Sequence, residues 1–179
     1  RGVGANYFDL FLRVLHQPTN TTSLNGLEVL GRAGIPFVRF AMMYDAQDMR
    51  VYCEHPDEYF QRLDQVVRQA ERCQVGLIPS FNWTFDLAEV VHEHRDEWGN
   101  PRSRTLRLMR RYVTDVVTRY KTSPAMWGWE FGNEPCLSAD LPNAAQFRKP
   151  GGTARDDLTS AEAVTAMAEF ARVVHRIDP

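Results

Sequence analysis

The chain has 179 residues, 44% hydrophobic and 25% charged, which is enough apolar content for one buried core and argues against a disordered or fibrous chain. Its 21 basic and 23 acidic residues, a formal charge of -2, are scattered along the whole length, so no basic face is expected and nucleic acid is excluded as a partner. No apolar run reaches the roughly 20 residues of a membrane span, and Arg1-Gly2-Val3-Gly4 lacks the charged-then-apolar order of a signal peptide, so the chain reads as soluble with no membrane partner.

Short apolar runs alternate with longer segments of helical period, the pattern of a parallel sheet with crossover helices. A first strand is expected near Val3 to Phe11, then a helix around Leu24 to Ala33 that stops at Gly34. The second strand, Ile35 to Met42, leads through a loop to a helix from Pro56 to Cys73. In that helix Tyr59, Leu63, Val66, Val67 and Ala70 give one buried face. The third strand, Gly76 to Trp83, is followed by a loop containing Gly99-Asn100-Pro101 and a helix around Ser103 to Tyr120. The fourth strand, Ala125 to Glu134, precedes a long loop with Pro142, Pro150, Gly151 and Gly152, too irregular for regular structure. A last helix begins near Ser160, where Thr159 and Glu162 form a capping start.

Four β-α units of this size fit an open doubly wound sheet or half of an eightfold barrel. A dinucleotide-binding open sheet needs a glycine-rich first turn, and His16-Gln17-Pro18-Thr19-Asn20-Thr21-Thr22 holds no glycine. A barrel instead gathers polar and aromatic residues at the C-terminal ends of its strands. Tyr7, Phe8 and Asp9, then Met43, Tyr44 and Asp45, then Asn82 and Trp83, then Asn133 and Glu134 do so. The expected fold class is therefore α/β, a (β/α)8 TIM barrel of which the N-terminal four βα units are present, with residues 1–179 forming part of one domain.

Cys53, Cys73 and Cys136 lack the close pair spacing of zinc or redox sites. Cys53 and Cys136 each follow a predicted strand, which leaves a bridge between them open. His92-Glu93-His94 has no third ligand in view, so neither a metal nor any other cofactor is expected. Trp127 lies early in its strand and is expected in the core.

Met126-Trp127-Gly128-Trp129-Glu130-Phe131-Gly132-Asn133-Glu134-Pro135 resembles the acid/base strand of glycoside hydrolase clan A, most closely family 5, the cellulase and β-mannanase family. Gly4-Ala5-Asn6-Tyr7-Phe8 looks like the first strand of that family, Val38-Arg39-Phe40 like its second, and Gly76 to Trp83 like its third. Phe81-Asn82-Trp83 departs from it, because many members carry a histidine there.

The resemblance implies a retaining hydrolase of β-linked glycans, of mannan or glucan type, with an oligosaccharide or polysaccharide as partner. Such chemistry uses two carboxyl groups about 5 to 5.5 Å apart, one attacking the anomeric carbon and one protonating the departing oxygen. The second role falls to Glu134, with Asn133 bonding the sugar 2-hydroxyl. Arg39 is expected to support a carboxylate inside the barrel, and Glu130, four residues deeper than Glu134, is its expected partner. Trp83 is the expected stacking platform for sugar, with Asn82, Tyr7, Phe8 and Tyr44 as further substrate contacts. The family keeps its nucleophile at the end of a seventh strand, for which no residue here can stand. The segment alone is accordingly expected to be inactive, and to need a C-terminal half-barrel from the same chain or a second chain. The contrasting reading is a catalytically silent carbohydrate-binding scaffold. Secretion is favoured by the resemblance alone.

Overall fold

Glycine and proline punctuate the chain where its elements change, and the computed structural model describes residues 2–179. β1 (Ala5–Asn6), β2 (Phe37–Ala41) and β3 (Gly76–Ser80) form one parallel sheet in the order β1-β2-β3. Ala5 lies opposite Val38, and β2 pairs with β3 from Phe37 opposite Gly76 to Ala41 opposite Ser80. The α/β class with a parallel sheet is as expected from the alternation of patterns.

The first strand is much shorter than predicted. Leu10, Phe11, Val14 and Leu15 repeat at helical spacing and are buried, so Leu10–His16 coils as α1 instead of extending β1. α2 (Thr22–Arg32) and α4 (Pro56–Cys73) fall where the sequence places them. Between β2 and α4 an unpredicted helix, α3 (Ala46–Glu54), is started by a reciprocal cap. The Asp45 carboxylate accepts from Gln47 and Asp48 N–H while the Asp48 carboxylate accepts from Asp45 N–H. Two short elements follow β3, α5 (Leu87–Val90) and a 3-10 turn at Arg95–Gly99, and then the long helix α6 (Arg104–Tyr120), capped by the Ser103 hydroxyl on Leu106 N–H. The long loop contains 3-10 turns at Pro135–Leu137, Ala144–Phe147 and Ala154–Asp156, and ends at α7 (Ser160–Ile177).

The predicted fourth strand is the main correction, because the sheet has three strands. Residues 125–131 run parallel to β3 but touch it only through two bridges, Met126 opposite Leu77 and Glu130 opposite Ser80. Five residues on one side, 126–130, thus span four on the other, 77–80, a bulge of one residue. Pro79 is the physical cause. Leu77 and Phe81 each donate an N–H to this segment, to Ala125 and Glu130 carbonyls, whereas Pro79 has no N–H to give and only accepts, from Glu130. The bulge puts Trp127 and Glu130 on the same face although they are three apart: Trp127 packs against Phe37, and Glu130 pairs with Arg39, two residues along β2 from Phe37.

The hydrophobic core lies between the sheet and its helices. An aromatic chain runs through it from Phe11 to Tyr59, Tyr112, Phe81, Phe170 and Phe131. The opposite face of the sheet is uncovered. There Trp127 is 56% exposed beside the half-buried Phe37 and Ile78, so the expectation that Trp127 belongs to the core is not met. Among the described residues no helix is long and apolar enough to cross a membrane.

Candidate active site

Arg39 is the centre of the site. β2 carries it on the uncovered face, and its half-buried guanidinium has carboxylate, amide and aromatic neighbours on separate sides. Nε donates to Glu130 Oε2 at 2.6 Å, the pairing that strand parity predicts, and Nη2 donates to Asn133 Oδ1 at 3.0 Å. Because the Asn133 oxygen is held by Arg39, its amide nitrogen is turned the other way, donating to Glu134 Oε2 at 3.3 Å. A hydrogen-bonded chain therefore runs from Glu130 through Arg39 and Asn133 to Glu134, whose side chain is exposed at the C-terminal edge of the sheet.

The backbone beneath this chain is tightly constrained. Asn82 is 2% exposed, and both its backbone N–H and its side-chain Nδ2 donate to the Phe131 carbonyl, at 2.7 and 3.2 Å. At Gly132 a β-carbon would stand 1.9 Å from the Asn82 carbonyl oxygen, so only glycine allows the segment to pass. Two residues later Glu134 adopts φ 43°, ψ 50°, a left-handed conformation that costs a non-glycine residue about 1–2 kcal/mol. Pro135 then opens a 3-10 turn in which Leu137 N–H reaches the Glu134 carbonyl.

Aromatic side chains flank the polar chain. The Arg39 guanidinium lies 4.8 Å from the Trp83 ring centroid, so it occupies one face of that ring. Phe8 meets Trp83 edge-on at 4.6 Å and Tyr44 at 5.6 Å, and Tyr44 is 53% exposed. Asp48 fixes the approach to Tyr44: buried, it accepts from Tyr44 N–H at 2.6 Å and meets His16 Nε2 at 2.5 Å.

Seven of the predicted site residues therefore converge: Arg39, Trp83, Asn133, Glu134, Phe8 and Tyr44 directly, and Asn82 from beneath. Tyr7 stands apart. Its hydroxyl reaches between β1 and α2 to the Ser23 carbonyl at 3.2 Å, and burial, followed by the Asp9 carboxylate, raises its pKa above the ordinary value. Three polar atoms at the end of β3, Ser80 Oγ, Asn82 Oδ1 and Trp83 Nε1, are buried without a partner in the described structure. The sequence reading missed Asp48 and Gly132, for which the Asp45/Asp48 capping spacing and the glycine beside Asn133 were the available signs.

The long loop after Glu134 is bound back over the segment 86–97 by charge. Lys149 Nζ bridges Asp86 at 2.9 Å and Glu89 at 2.7 Å, Arg155 pairs with Asp96 at 2.7 Å, and His94 Nδ1 meets Asp156 at 3.0 Å. Burial pushes the Asp86 carboxyl upward, but Arg95 and Lys149 outweigh it and hold it below the usual carboxylate range. Asp156 follows the same balance, with Thr153 N–H and His94 prevailing over burial. In His92-Glu93-His94 the Glu93 side chain caps α6 through Thr105 N–H at 2.8 Å, whereas His94 is turned to Asp156. Cys53, Cys73 and Cys136 are all free, so the bridge left open by the sequence is not formed.

The comparisons with known proteins point the same way. The chain is 36% identical over 132 residues to a probable mannan endo-1,4-β-mannosidase C of Aspergillus terreus, a match covering 65% of this chain and 29% of that protein. It is 33% identical over 90 residues to a probable mannan endo-1,4-β-mannosidase A of Aspergillus clavatus, covering 45% of this chain and 24% of the relative. It is 28% identical over 119 residues to a probable mannan endo-1,4-β-mannosidase F of Aspergillus flavus, covering 63% and 26%. No family model matches the chain. The match spans about a quarter of the length of these relatives, all named as probable mannan endo-1,4-β-mannosidases.

Proposed function

We propose that the chain is the N-terminal half of a (β/α)8 barrel that hydrolyses β-1,4-linked mannan with retention, Glu134 serving as acid/base. The observation that carries this reading is the hydrogen-bonded chain Glu130–Arg39–Asn133–Glu134 at the C-terminal edge of a parallel sheet, flanked by Trp83, Phe8 and Tyr44. The mannanase names of the relatives favour mannan over glucan as the substrate.

In the first step a carboxylate from the remainder of the barrel attacks the anomeric carbon while Glu134 gives its proton to the departing glycosidic oxygen. In the second, ionised Glu134 takes a proton from water as that water displaces the enzyme carboxylate from the sugar, which restores both groups. Asn133 contributes an orientation fixed beforehand: with Oδ1 committed to Arg39, the Nδ2 donor is left to serve Glu134 and a sugar hydroxyl. Arg39 is thus a positioning residue, acting through Asn133 and through Glu130.

Trp83 has one face occupied by Arg39, so a sugar ring would use its free face or edge. The test is cleavage of unmodified mannan by the full-length protein and its Glu134→Gln variant. The wild type should release mannooligosaccharides and the variant none; retained cleavage by the variant would remove Glu134 from the donor role.

A further inference from the structure

Charges scattered in the sequence are concentrated locally by the fold. On the outer side of the molecule, between α3 and α6, lies a groove of about 540 Å3 that shares no residue with the Glu134 cluster. Four arginines reach it: Arg50 from α3, and Arg104, Arg107 and Arg111 from successive turns of α6. Glu54 is the one carboxylate on its lining.

The pairing of these arginines is uneven. Arg104 Nε is committed to Glu93 at 3.2 Å, and Arg50 has only a loose contact with Glu89 at 3.8 Å. Arg107 donates to the Arg102 carbonyl at 3.3 Å, while Arg111 leans on the Tyr52 ring at 5.4 Å with its Nη2 3.7 Å from Cys53 Sγ. Neither Arg107 nor Arg111 has a carboxylate partner among the described residues, and both are exposed. Most other arginines of the chain are matched to Asp or Glu. At i and i+4 on one helix face, these two guanidiniums stand about 5–6 Å apart at their base, each a planar fork suited to a two-oxygen anion. The floor between them is apolar, formed by Val90, Val91 and Leu108.

We infer that this groove binds an anionic oligosaccharide, one whose successive sugars carry carboxylate or sulfate groups. Two separated cation forks match a repeating acid better than a single ion, and an aliphatic floor suits the flat faces of pyranose rings. The oxyanion component rests on the arginines alone, whereas the choice of a sugar backbone rests on the glycan-hydrolase reading.

The test is equilibrium titration of the full-length protein with hexagalacturonate, mannohexaose and inorganic phosphate, at low and high salt. Hexagalacturonate should saturate the site, bind more weakly as salt rises, and lose at least tenfold in affinity in the R107Q/R111Q double variant. Mannan cleavage and thermal unfolding of that variant should match the wild type. Absence of saturable, salt-sensitive hexagalacturonate binding by the wild type, or full retention of it by the double variant, overturns the inference. Phosphate bound as tightly as hexagalacturonate on the same arginines overturns the sugar component. Failure of mannan cleavage with arginine-dependent hexagalacturonate binding intact would sink the hydrolase reading and leave the anionic site standing.

Discussion

A lysine at position 39 keeps the charge but loses the fork. Arg39 reaches Glu130 and Asn133 through different nitrogens, at 2.6 and 3.0 Å, and a single ammonium on a flexible stem cannot hold both in that geometry. Arg39→Lys should therefore lower kcat for mannan by about 10- to 100-fold, the scale of a small misplacement of reacting groups, with a smaller effect on KM. Steady-state kinetics of the full-length protein give the answer, and an unchanged kcat would leave Arg39 as a structural ion pair. Gly132 tests the support beneath. A β-carbon there meets main-chain oxygen, which has no rotamer to give way, so Gly132→Ala should destabilise by about 1–3 kcal/mol or more in denaturant unfolding. The Arg39–Glu130 pair was legible from alternation along a strand and from charge. The Asn82 clamp on Phe131 was not, because a buried asparagine and a substrate-binding asparagine look alike until the carbonyl it bonds is known.

Elements with a strong helical stripe were readable to within a residue or two, as α4, α6 and α7 show. Each has a stop or cap residue that pattern alone supplies: Pro56, Ser103 and Thr159. α3 is harder to see because the capping pair that starts it, Asp45 and Asp48, is a polar spacing that a loop carries equally well. The fourth strand failed for a nonlocal reason. Its own residues read as a strand, but Pro79 on the neighbouring strand withholds the donor that a regular ladder needs. The loop from 138 to 158 has no hydrophobic pattern and is held by charge, which predicts its pH behaviour. The Asp86 and Asp156 carboxyls titrate lower in the folded protein than when free, so their stabilisation is complete above about pH 4 and is lost as pH falls through their folded values. For Lys149, burial lowers the pKa but Glu89 and Asp86 outweigh it and raise it, so its share is complete below about pH 10 and lost as pH climbs through the raised value. Proteolytic cleavage within 138–158 should be slow at neutral pH and accelerate below about pH 4, before global unfolding by near-UV circular dichroism. Coincident loss of both signals would mean the loop is not a separate unit.

Across the whole molecule the helix-covered face of the sheet is packed and the other is bare, with Trp127 open to solvent beside the half-buried Phe37 and Ile78. If the remaining strands of a barrel close over this face, Trp127 should be quenched by acrylamide in the 179-residue segment and shielded in the full-length protein. A Trp127→Phe segment identifies its share of the fluorescence, and equal quenching in both lengths would argue against closure. The same asymmetry separates two kinds of residue. Those that hold the fold, from Phe11 to Phe170, lie among the helices, whereas Arg39, Trp83, Asn133 and Glu134 stand outside the buried hydrophobic cluster. Selection can therefore rewrite the lining of the bare face while the layer that folds is left untouched. A protein built this way can vary what its bare face contacts while keeping the packed layer that makes it fold.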